Sequence, residues 1–112
     1  MKINVRQALL STNLPQTTYR MFKDAKGQNL DTFKTKSLEN ACSVCSLGAI
    51  AIACYRQSGK AINAWRINDA LMSHQLYLVN LNDQKKWSFK KIAAAIPADL
   101  EIETDDFEAL RL

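Results

Sequence analysis

Apolar residues recur at helical spacing in several stretches, and polar or breaker residues divide the chain between them into short elements. Val5, Ala8 and Leu9 predict a helix within Met1–Thr12, stopped by Ser11, Thr12, Asn13 and Pro15. Between Thr17 and Phe33, β-prone Thr, Tyr and Phe flank Asp24-Ala25-Lys26-Gly27. Asp and Gly at those places suit a turn with one residue at positive φ, which predicts a β-hairpin. Ser37 offers an N-cap, and from Leu38 to about Gln57 only Gly48 interrupts the pattern before Gly59 closes it. Between Ala41 and Tyr55 this segment is apolar almost all round, the mark of a central helix packed on several sides. Glycine costs about 1 kcal/mol against alanine inside a helix, so Gly48 implies a neighbour that approaches closely.

Ala61, Ala64, Trp65, Asn68, Leu71 and Met72 share one helical face and predict a third helix over Ala61–Met72. Leu76 to Leu81 alternates and is apolar, which predicts a strand, with Asn82-Asp83 turning the chain after it. Ser88 caps a helix from Phe89 to Ile96, and Pro97 ends it. The expected fold is a single α+β domain, helix-dominated, with a central buried helix and a small antiparallel sheet or hairpin. At 112 residues, roughly two-thirds of the unfolded surface can be buried, enough for one core. The longest apolar stretch falls short of the ~20 residues that cross a bilayer. No basic segment with an apolar run opens the chain, so a cytoplasmic protein without membrane contact is expected.

Charge divides the chain in two. Residues 1–97, the basic globular body, hold fourteen Lys and Arg against five Asp and Glu, a net +9. Residues 98–112 hold Asp99, Glu101, Glu103, Asp105, Asp106 and Glu108 against Arg111 alone, a net −5. Acidic segments of this kind serve as interaction tails or as shields for a basic body. Leu100, Ile102, Phe107, Leu110 and Leu112 are too many apolar residues for a solvated tail, so a strand and short helix docked on the body are expected. Asp105 and Asp106 would then cap that last helix or belong to a binding surface.

Three segments together resemble an uncharacterised family of small bacterial and phage proteins, a domain of unknown function. Its pattern reads T-x-G-x-x-x-R-D-x-x-G, then C-A-x-G-A, then N-D-x-P-G-R-T before an apolar helix. Thr17, Lys23, Asp24 and Gly27 follow the first motif, Cys45-Ser46-Leu47-Gly48-Ala49 the second, and Asn82, Asp83 and Ser88 the third, with Ile92 on the helix beyond. The order and spacing hold over about residues 5–96. Tyr19 stands where the pattern has its first glycine, Lys85-Lys86-Trp87 where it has P-G-R, and no tryptophan precedes Cys45. The resemblance implies a fold and a phage-borne origin, with no activity attached.

The candidate chemistry is sparse. Cys42, Cys45, Cys54 and His74 are an awkward set for zinc, which takes four converging ligands, and neither metal nor cofactor is expected. Three cysteines outside a secretory context read as free thiols, chiefly core residues. A minority reading pairs Cys45 with His74 and Asp83 as a cysteine hydrolase, by analogy with enzymes that set a thiol at a helix start. Asn82, Asp83 and Ser88 have a structural explanation as turn and cap residues. Lys85, Lys86, Lys90 and Lys91 around Trp87 form a surface suited to phosphates and a stacked base, or to an acidic protein face.

The expected function is a small non-enzymatic protein-binding module of phage or mobile-element type, an inhibitor of a host protein such as a defence factor. Lys85, Lys86, Trp87, Lys90, Lys91, Asp105 and Asp106 are its candidate binding residues. The alternatives are a nucleic-acid-binding accessory protein, with weak affinity, and the cysteine-dependent hydrolase.

Overall fold

The computed structural model describes residues 1–110. Arg111 and Leu112, the latter counted above among the apolar positions of the acidic segment, lie outside the described residues. Strand β1 (Lys2–Asn4) pairs antiparallel with β4 (Glu101–Glu103), placing Ile3 opposite Ile102, both buried. Asn4 then caps α1 (Val5–Leu10), its side chain accepting from the Gln7 N–H at 2.9 Å. Helix α1 is the short helix expected within Met1–Thr12, and a strand that the pattern did not show precedes it. With one inward residue per strand, β1 has no period to read.

The centre of the core is α3 (Ser46–Ser58), whose residues from Ser46 to Cys54 are all buried. Helix α1 packs on one side of it, α2 (Thr35–Asn40) and α4 (Ala64–Met72) on others, and α5 (Phe89–Ala95) packs on α1. Gly59 ends α3 in the left-handed conformation, φ 72°. The single helix predicted from Leu38 to Gln57 is in fact two, separated by Ala41–Cys45. Ser37 is no N-cap: it lies inside α2, where its Oγ donates to the Asp31 carbonyl.

The break is bought by tertiary hydrogen bonds. Cys42 N donates to Lys23 O at 2.7 Å, Val44 N to Pro15 O at 3.0 Å and Cys45 N to Met21 O at 3.1 Å. These bonds hold β3 (Ser43–Val44) against β2 (Phe22–Lys23) and the chain before it, and Asn, Cys, Ser and Val are weak helix formers that leave the helix at little cost. The expected hairpin is correspondingly reduced. Its turn forms, with the Asp24 carboxylate accepting from Lys26 N and Gln28 N and with Gly27 at φ +77°. The returning chain adds only a bridge from Asn29 to Lys23, because the extended partner of β2 is β3.

Further expectations are corrected. Leu76–Leu81 is not a strand: the chain turns helical at Leu78 and continues as a wide π-helical turn over Asn80–Gln84. A six-residue apolar run does not distinguish the two by period. Helix α4 starts at Ala64 behind the Asn63 cap and buries Ala64, Ile67 and Leu71, leaving Trp65 and Met72 exposed. After β4 the described chain makes a turn and a bridge from Ala109 to Ile62, not a helix. Asp105 therefore caps nothing there and instead pairs, with Glu103, to the Met1 ammonium. Among the described residues no helix is long and apolar enough to cross a membrane.

Removing residues 98–112 is expected to abolish cooperative thermal unfolding measured by circular dichroism. The truncation strips Ile102 from Ile3 and deletes the partners of Val5 N and of the Met1 carbonyl. A truncated chain melting within a few degrees of the full one would show that β4 is dispensable.

Candidate functional site

The three motif segments meet at one side chain. Asn82 is fully buried, and its amide uses all four of its hydrogen-bonding positions. Oδ1 accepts from Gln16 Nε2 at 2.8 Å and from Ser46 N at 3.0 Å. Nδ2 donates to Thr17 O at 2.9 Å and to Asp83 Oδ1 at 2.7 Å. Asp83 Oδ1 also accepts from Tyr19 N at 2.9 Å, holding Tyr19 at φ 63°. Asn82 and Asp83 are thus structural, but they satisfy distant backbone instead of neighbouring amides. The π-helical turn is what aims the Asn82 amide inward between the first segment and the start of α3.

Cys45 caps α3, its sulfur accepting from Gly48 N at 3.4 Å. It lines a cleft with Asp83, Tyr19, Arg20, Leu47 and Trp65. Cys42 is exposed on the break before α3, and Cys54 is buried within α3, so the three thiols have separate surroundings. His74 is exposed in the turn after α4, where its N–H donates to Leu71 O, and it does not line the cleft. The structure therefore brings together Cys45 and Asp83 of the minority triad and leaves the histidine out.

A helix N-terminus ordinarily favours a thiolate. Here burial wins and pushes the Cys45 thiol up to about 11, with the Gly48 N–H opposing the shift and the Asp83 carboxylate adding to it. Burial likewise pushes Cys54 up to about 11. Cys45 is thereby held protonated at pH 7, which is poor provision for a nucleophile.

Ellman's reagent is expected to titrate one thiol, Cys42, rapidly in the folded protein and all three in denaturant. The pH dependence follows from the direction of the shifts. Both buried thiols hold their protons more tightly folded than unfolded, so their contribution is complete below about pH 8.5 and is lost as pH rises towards 11. Each is worth about 2–3 kcal/mol over that window. Melting temperature should fall between pH 9 and 11, less steeply in Cys54→Ala; identical slopes would show that Cys54 plays no part.

The Lys85–Lys91 segment is brought together around two rings. Lys91 Nζ lies 4.5 Å and Lys85 Nζ 5.3 Å from the centre of half-buried Trp87, and Lys86 Nζ lies 5.8 Å from the centre of the Tyr19 ring. Lys86 is held at φ 54°. Lys90 is exposed on α5, engaging neither ring. Ser88 caps α5 as expected, accepting from Lys91 N at 3.2 Å. Asp105 and Asp106 lie beyond β4, where the Asp105 carboxylate pairs with the Met1 ammonium and its carbonyl accepts from Lys60 Nζ at 3.1 Å.

What the sequence pattern concealed is an exposed apolar strip. Tyr19, Trp65 and Val79 line the Cys45 cleft, and Val79, Tyr77 and Met72 line a second hollow beside it. All five are exposed, Tyr19 and Tyr77 by about half of their surface. Trp65 and Met72 looked like core because they adjoin the Ala64–Leu71 stripe; Ile67, passed over in that pattern, is the residue that marks the buried side. Comparison with protein-family models, curated proteins and solved structures returns no match to this chain.

Proposed function

We propose that this protein is a small non-enzymatic binding module that acts by occupying the surface of another protein. The observation that carries this reading is the strip Tyr19–Trp65–Val79–Tyr77–Met72, five large apolar side chains held in water on one continuous face. Contiguous apolar surface of this kind marks interaction sites, and Trp and Tyr are the residues that dominate binding energy when such surfaces are covered. The protonated thiol of Cys45 and a cleft lining that does not include His74 weigh against a hydrolase. Nucleic acid is less well served, because two lysines already hold their ammonium groups over the Trp87 ring that a base would stack on.

A phage or mobile-element setting, and inhibition of a host factor, draw on the three-motif resemblance. Two departures from that pattern keep the backbone that its glycines would adopt. Tyr19 and Lys86 stand where the pattern has glycine, and both adopt the left-handed backbone that glycine supplies most cheaply. Lys86→Gly is therefore expected to leave the fold intact, with a melting temperature no lower than that of the parent.

The test is affinity capture from host lysate with partner identification by mass spectrometry. The unmodified protein and a control, Lys26→Ala in the exposed Asp24–Gly27 turn, should retain the same partner. Trp65→Ala combined with Tyr77→Ala should lose it while melting within a few degrees of the parent. Undiminished capture by the double variant would overturn the reading. So would tight, saturable binding of labelled DNA by the intact protein near ~150 mM salt, where phosphate-driven affinity should already be weakened.

A further inference from the structure

We propose that the strip receives an acidic segment of a partner protein, which sets one large apolar side chain into the cleft between Tyr19 and Trp65. This rests on the protein-binding reading above and names the chemistry of what is bound.

Size comes first. The cleft floored by Cys45 and Leu47 has a volume of about 190 Å³. Small-molecule and cofactor sites run to ~300–1,000 Å³, so this space suits a single side chain. Its walls are the two exposed rings, and its lining is mostly apolar apart from Arg20, Thr32 and Asp83. The second hollow, joined to it through Val79, pairs an apolar floor of Met72 and Tyr77 with the amides of Asn68, Asn80 and Gln84. Side-chain amides offer both donors and acceptors, which is what the backbone of an incoming peptide requires on either side of an apolar anchor.

Charge selects the sign of that peptide. Arg20 lines the cleft, Lys86 stands over its Tyr19 wall, and Lys85 and Lys91 stand together around Trp87 beyond it. Asp83 also lines the cleft, but it is half-buried and already accepts from Tyr19 N and Asn82 Nδ2. Exposed Asp69 follows Trp65 by one turn of α4, and exposed Asp31 adjoins Thr32 in the cleft lining. Four cations against three anions leave the strip positive, within a body of net +9. Such a field attracts acidic segments and repels basic ones. A nucleic acid strand would need cations along its whole course, whereas none lines the second hollow.

The test uses fluorescein-labelled synthetic peptides built around one Phe and one Leu, identical except for Glu, Gln or Lys flanks, with anisotropy as the readout. The Glu-flanked peptide should bind the full-length protein saturably and about tenfold tighter than the Gln-flanked one. The Lys-flanked peptide should not bind. Trp65→Ala, and separately Tyr77→Ala, should remove binding of the Glu-flanked peptide. Lys85→Glu with Lys86→Glu should shift preference to the Lys-flanked peptide, a reversal that unfolding cannot produce. Equal binding of all three peptides, binding of none, or displacement of the acidic peptide by a single-stranded oligonucleotide at lower concentration than by unlabelled peptide would overturn the proposal. If the acidic peptide fails while Trp65→Ala with Tyr77→Ala still loses a captured partner, this inference falls and the docking surface stands. If capture survives that double substitution, both fall.

Discussion

Gly48→Leu is expected to give a chain without a cooperative thermal transition, and even Gly48→Ala should lower the melting temperature. A Cβ at this position would lie 2.7 Å from the Met21 carbonyl oxygen, 3.1 Å from Phe22 Cε1 and 3.2 Å from Met21 Cγ. The first contact decides the outcome, because it is backbone and is already fixed by the bond from Cys45 N at 3.1 Å. Alanine would return about 1 kcal/mol of helix propensity. Overpacking costs roughly 1–3 kcal/mol or more, and here it requires Met21 to leave the start of α3. The balance for alanine is a fall of about 5–15 °C for a domain of this size. Circular dichroism melts of the two variants check this, and an unchanged melting temperature in Gly48→Ala would show that the segment at Met21 yields freely.

Asn82→Leu should cost about 3–5 kcal/mol, because it orphans Ser46 N and Thr17 O at once and takes from the Gln16 amide one of its two acceptors, leaving it the Trp87 carbonyl. Asn82→Asp is the sharper experiment. It keeps the shape and the two acceptor positions but removes both donors, leaving a carboxylate against the Thr17 carbonyl and the Asp83 carboxylate. We expect it to be at least as destabilising as leucine at pH 7. Acidification towards pH 4 should partly restore it relative to the leucine variant, since protonation returns one donor. Melts of both variants across pH test this, and an Asn82→Asp protein as stable as the parent would remove the amide from its central place.

Local signals were read well where the cause is local. Ser88 and Pro97 bound α5, Gly59 closes α3, and Asp24 with Gly27 turns the chain, each through bonds within four residues. The break at Ala41–Cys45 was illegible because its donors answer to carbonyls of Pro15, Met21 and Lys23, some twenty residues or more away in sequence. Asn82 posed the same difficulty on a larger scale, with three of its partners 36 to 66 residues distant. Of the site, the lysines around Trp87 and the pairing of Asp83 with the Cys45 cleft were visible as residue types. The apolar strip was not, since an aromatic beside a helical stripe reads as core until the neighbouring elements are placed. Tyr19 and Lys86 did carry a signal. Each adopts a left-handed backbone, φ 63° and 54°, that glycine would take most cheaply.

The pairing of β1 with β4 has a consequence for synthesis. Ile3 leaves the ribosome about a hundred residues ahead of Ile102, the residue it faces. At 5–20 residues per second, roughly 5–20 s separate the two, during which β1 and the underside of α1 have no strand to cover them. Helices α1 and α3 can meet in that interval, but the sheet closes only when the acidic segment emerges. That segment bears carboxylates at both outward positions of its strand, Glu101 and Glu103, around a single inward isoleucine. The last strand to arrive is thus the one least disposed to pair with a second nascent chain, since two copies of it would meet charge against charge.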